Sequence, residues 1–84
     1  MPELSPKAKR ILYVVNKEAS DGYALQSRTG LNPNELVDGL KELLADSIIQ
    51  IEGGLDPERI GRTYIWVPPS RKSYAAMISG KDSM

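Results

Sequence analysis

Residues 26–44 read QSRTGLNPNELVDGLKELL, a complete stop-and-start signal between two helices. Gly30 suits the position just past a helix end, where positive φ carries no steric penalty for glycine. Two residues later Asn32 supplies an N-cap acceptor and Pro33 takes the first helical position. Glu35 lies three residues after the cap, the spacing that closes a capping box. Leu36, Leu40, Leu43 and Leu44 then recur at helical spacing and form the inner stripe of a helix predicted over 33–46. Gly39 lies inside that helix at a cost of about 1 kcal/mol against alanine, so its expected use is to let another helix approach closely.

Working outward from this turn, Ser5 and Pro6 repeat the cap-then-proline start. Ala8, Ile11, Leu12 and Val15 give a first helix over 6–18, with Val14 widening its apolar stripe. NKEASDG, residues 16–22, ends it in turn chemistry. Tyr23 is read as one extended residue before a short helix over 24–29, with Ala24 and Leu25 facing inward. Past the third helix the period changes. IIQIE (48–52) and RTYIWV (62–67) are β-rich, and the loop GGLDPERIG joins them into an antiparallel hairpin that Pro68 and Pro69 terminate. On IIQIE, Ile49 and Ile51 are expected on one face. The tail SRKSYAAMISGKDSM is read either as one or two helical turns with Tyr74, Met77 and Ile78 on one side, or as a frayed end. The chain is expected to be a single domain over 1–84, with an ordered core at about 5–69 and a tail at 70–84.

Composition narrows the chemistry. Eighty-four residues suffice for one core. The sequence has no cysteine and no histidine, which removes disulfides, thiolate and imidazole metal sites and the commonest general base. No nucleophile–base spacing stands out. SGKDS lacks the upstream glycine of a phosphate loop, and GGLDPERIG lacks the ligand spacing of a calcium loop. The expectation is a non-enzymatic protein without cofactor or metal. With neither a signal peptide nor a membrane span evident, it is expected to be soluble and cytoplasmic.

Eleven basic residues balance eleven acidic ones, but unevenly along the chain. Residues 1–30 carry five basic and three acidic side chains. Residues 31–58 carry Lys41 alone against Glu35, Asp38, Glu42, Asp46, Glu52, Asp56 and Glu58. Residues 59–84 carry five basic and one acidic. Basic flanks therefore enclose an acidic middle.

The order helix, short strand, helix, turn, helix, hairpin is that of an α+β winged helix-turn-helix. ALQSRTGLNPNELVDGLKELLADSIIQIEGG resembles the segment from helix 2 to the wing in MarR- and ArsR-type bacterial regulators. The points of likeness are a small residue opening helix 2, the TGL turn, an Asn-Pro cap, leucines at core spacing and a β-branched strand directly after. The resemblance spans about residues 8–67. It implies a transcription regulator that binds double-stranded DNA, acts as a homodimer and lays helix 3 in the major groove. Asn34, Glu35, Val37, Asp38 and Lys41 would then lie at the groove, with Asn34 suited to an adenine edge and Lys41 to a guanine or a phosphate. Gln26, Ser27 and Arg28 would lie near phosphate, and Arg59 and Arg62 in the wing would meet phosphate or the minor groove.

The departure from that pattern is the acid on helix 3. Where such regulators often carry arginine this chain has Asp38, followed by Glu42 and Asp46. A single carboxylate can accept from cytosine N4, whereas several facing phosphates oppose binding. The alternative is a protein-interaction module on the same fold, presenting acidic helix 3 or the Tyr64/Trp66 face to a protein partner. The cluster Lys7, Lys9, Arg10 is either a solvated face or an extension of a phosphate footprint. Tyr64 and Trp66 share one strand face: either they complete the core, or they point outward and are covered by Tyr74, Met77 and Ile78 of the same chain or of a second copy.

Overall fold

The computed structural model describes residues 4–79. Helix α1 (Pro6–Lys17) starts at Ser5, whose hydroxyl accepts from the Ala8 N–H at 3.2 Å. A two-residue strand β1 (Ser20–Asp21) leads directly into α2 (Gly22–Thr29), which ends at Gly30 with φ 73°. Helix α3 (Pro33–Ala45) opens with the expected reciprocal cap. The Asn32 side chain accepts from the Glu35 N–H at 2.8 Å, and the Glu35 carboxylate accepts from the Asn32 N–H at 3.1 Å. Strands β2 (Gln50–Glu52) and β3 (Tyr64–Trp66) follow, joined by a loop that ends in a 3₁₀ turn at Ile60–Arg62. A short helix α4 (Lys72–Ile78) closes the described chain.

The three strands form one antiparallel sheet in the order β1-β3-β2. Ser20 pairs with Ile65 and Asp21 with Tyr64, while Gln50, Ile51 and Glu52 pair with Trp66, Ile65 and Tyr64. The fold is thus α+β, four helices with a small sheet. Its core is Ala8, Ile11, Leu12 and Val15 of α1 against Leu25, Leu36, Leu40 and Leu43, floored by Ile48, Ile49, Ile60, Ile65 and Val67. Each fully buried leucine or isoleucine here contributes about 1.5–3 kcal/mol relative to exposure. Gly39 does what its sequence position implies. A Cβ there would overlap Ile11 Cδ1, the movable end of a side chain, and stand at an ordinary contact distance of 3.5 Å from the Ala8 nitrogen, so α1 and α3 pack closely at Gly39.

Several boundaries differ from expectation, each for a local reason. The extended residues before α2 are Ser20 and Asp21, and Tyr23 is helical, because the Asp21 carboxylate caps α2 by accepting from the Ala24 N–H at 2.8 Å. Gly22 opens that helix under the loop. Its N–H donates to Thr63 O at 2.9 Å, and any Cβ would run into the Ile60 carbonyl oxygen. β2 begins at Gln50, since Ser47 has φ 57° and the chain turns through Ile48 and Ile49, both of which point into the core. β3 begins at Tyr64, since Arg62 belongs to the 3₁₀ turn. On β3 the inward residue is Ile65, flanked by buried Thr63 and Val67, so Tyr64 points outward at 47% exposure and Trp66 is half-buried. In the tail, Tyr74, Ala75 and Ile78 are turned toward the core while Met77 is 71% exposed, so Met77 does not share their face.

Candidate nucleic-acid interface

Asn34, Asp38 and Lys41 lie at helical spacing on α3, and all three are exposed. Val37, expected beside them, is 4% exposed and belongs to the core, because it lies on the leucine side of the helix. The acids of this helix are largely engaged within the protein. Glu35 closes the capping box. Asp38 lies 3.9 Å from Lys7 across the α1–α3 contact. Glu42 reaches the start of α1, where its two carboxylate oxygens accept from the Ser5 N–H at 3.0 Å and the Ser5 hydroxyl at 2.6 Å. The Ser5 hydroxyl, then its N–H, hold the Glu42 carboxyl below the usual glutamate range, assisted by Lys7 and opposed by partial burial. The hydroxyl that caps α1 is thus itself oriented by a carboxylate of α3.

The basic residues divide in the same way. Lys7 pairs with Asp38, and Arg10 donates to Thr29 O at 3.0 Å, supporting the C-terminal carbonyls of α2. Two of the three cations at the start of α1 therefore tie helices together, whereas Lys9 makes no ion pair among the described residues. On α2, Gln26 is half-buried, and Ser27 and Arg28 are exposed. Arg28 is drawn toward β1, donating to Ser20 Oγ at 3.3 Å and lying 3.7 Å from Glu18. Lys41 and Arg62 make no ion pair or side-chain hydrogen bond among the described residues.

Between the start of α2 and the β2–β3 loop lies an open cleft of about 440 Å³ lined by Tyr23, Gly53, Gly54, Glu58, Arg59, Arg62 and Thr63. The loop is pinned from within. The Thr63 hydroxyl is buried and donates at 2.6 Å to Gly54 O, and Asp56 accepts from the Glu58 and Arg59 N–H groups at 3.1 and 3.0 Å. The Arg59 side chain packs along Gly54, with its guanidinium 3.7 Å from the Asp56 carboxylate. Gly53 has φ 135°, which reserves that corner for glycine.

The structure thus brings Arg59 and Arg62 together in one cleft, while Arg28 is not among the residues lining it. The side chain missed by the sequence reading is Tyr23, 64% exposed, with its ring edge against Gly61. The signal was available in DGY. An aspartate cap followed by a glycine starts the helix one residue before the tyrosine, so that Tyr23 falls on the first turn beside the loop. No helix among the described residues is long and apolar enough to cross a membrane, and no group of three or more acidic side chains there could hold a metal ion. No protein-family model, curated protein or solved structure matches this chain.

Proposed function

We propose that this chain is a winged helix-turn-helix protein that binds double-stranded DNA, with α3 as the groove-facing helix and the β2–β3 loop as the wing. The observation that carries this reading is the disposition of α3. A short turn, 30–32, separates it from α2, and its stripe Asn34, Asp38, Lys41 faces outward while Glu35 and Glu42 are engaged at helix starts. Such a stripe offers an amide and an ammonium to base edges or phosphate. Arg59 and Arg62 add two guanidiniums on the loop that a wing would extend along the backbone. The element order and the sheet order β1-β3-β2 support the same assignment. A role in transcription regulation is the natural use of such binding, and a homodimer would double the contacts along one duplex.

Lys41→Ala and Arg62→Ala test it, because each removes an exposed cation that forms no internal bond among the described residues and so leaves folding intact. Fluorescence anisotropy with labelled mixed-sequence duplex should show weaker binding for each variant on every sequence. The slope of log K against log salt should shrink by about 1 per lost phosphate contact. Unchanged affinity and slope in both variants would remove α3 and the wing from the interface.

A further inference from the structure

The outer face of the sheet carries an arrangement unrelated to the α3 stripe. Cross-strand partners share a face, so the pairings Asp21–Tyr64 and Glu52–Tyr64 set one tyrosine between two acidic residues, with Gln50 beside Trp66 in the next row. Directly paired side chains lie about 5 Å apart at Cβ, and the two acids are about 9–10 Å apart across two strand spacings. The Tyr64 and Trp66 rings are 5.8 Å apart at 36°, forming a tilted aromatic floor. Neither Asp21 nor Glu52 takes part in an ion pair among the described residues. The Asp21 side chain accepts one hydrogen bond there, as the α2 cap.

From this face we infer that the sheet docks an arginine- or lysine-bearing peptide segment of a partner protein, one cationic side chain lying over Tyr64 between Asp21 and Glu52. An aromatic face attracts a cation through its quadrupole, and flanking carboxylates supply the charge-assisted hydrogen bonds that a guanidinium or ammonium needs. Nucleic acid is disfavoured on this face by the same two carboxylates. A second copy of the chain is disfavoured as well, since an isologous contact would press the two carboxylates of each copy into one shared patch. The proposal stands apart from DNA binding, because it uses none of Asn34, Lys41, Arg59 or Arg62.

Trp66 is the sole tryptophan of the chain and reports directly on the site. Titration of the full chain with a capped hexa-arginine peptide should change its fluorescence saturably. The double variant Asp21→Asn/Glu52→Gln removes both charges while the introduced asparagine still caps α2, and it should weaken binding roughly tenfold or more. Tyr64→Ala should weaken binding similarly. Glu58→Gln, at an exposed loop acid that takes no part in the β1-β3-β2 pairings, should not change it. Duplex DNA binding should not weaken in Asp21→Asn/Glu52→Gln. The proposal is overturned by a silent Trp66 at millimolar peptide, or by equal weakening in Glu58→Gln, which would mean diffuse attraction. Tyr64-dependent dimerisation in sedimentation equilibrium, without peptide binding, would likewise overturn it in favour of a second copy.

Discussion

Gly22 shows how much of this fold rests on a missing side chain. Its N–H donates to Thr63 O, and its Cα lies so close to the Ile60 carbonyl that a methyl group would overlap backbone. Gly39 also excludes a side chain, but what a Cβ would meet there is the terminal methyl of Ile11, which can rotate. Alanine at 39 would moreover recover about 1 kcal/mol of helix propensity. The two glycines should therefore respond differently to one methyl. Gly22→Ala is expected to destabilise by on the order of 3 kcal/mol, since backbone must move, whereas Gly39→Ala should cost less than half of that. Urea unfolding of the two variants checks the ranking, and equal losses would mean that α2 does not sit as tightly under the loop as described. The consequence at Gly22 could not be weighed from sequence, where DG reads as a turn and the partner carbonyl of Ile60, far along the chain, is invisible.

At the scale of elements, the parts with a local cause were legible and the parts with a distant cause were not. Ser5-Pro6 and Asn32-Pro33-Asn34-Glu35 specify their own helix starts, and both helices begin where those residues indicate. β1 is two residues long, too short for any period, and exists because β3 lies alongside it. β2 and β3 are trimmed to three residues each by the core burial of Ile48 and Ile49 and by the 3₁₀ turn at Ile60–Arg62. The link between α3 and α1 through Glu42 and Ser5 was likewise hidden, although it explains an acid that sequence reading set against DNA binding. It also makes a pH prediction. The folded state holds the Glu42 pKa below its ordinary 4.5, so the contact contributes fully above that value and its contribution is lost as pH falls through the lowered pKa. Glu42→Gln should accordingly be less stable than the parent at neutral pH, with the gap narrowing on acidification below 4.5. A gap independent of pH would mean that the carboxylate charge plays no part in the contact.

Over the whole molecule, net charge is a poor guide to what the surface offers. The run from Leu31 to Glu58 is the acidic part of the chain, yet Glu35, Asp38, Glu42 and Asp56 all make internal contacts. What stays outside is sorted by face: Asn34 and Lys41 on α3, Arg59 and Arg62 on the loop, and Asp21, Tyr64 and Glu52 on the sheet. The placement of Asn34 and Lys41 on α3 and of Arg59 and Arg62 on the loop was legible because cap, turn and loop punctuation assigned them to elements. The flanking of Tyr64 by two acids was not legible, since it depends on strand register. The proposed division of labour has duplex DNA on α3 and the wing, and a cationic peptide on the sheet. It is tested most directly by an amide chemical-shift titration of isotope-labelled protein with mixed-sequence duplex DNA at low salt, where even non-specific binding is visible. The shifts should cluster on residues 33–41 and on the loop around Arg59 and Arg62, spare Glu52 and Trp66, and fade as salt is raised. Absence of shifts at low salt, or shifts confined to the sheet face, would contradict DNA binding by α3.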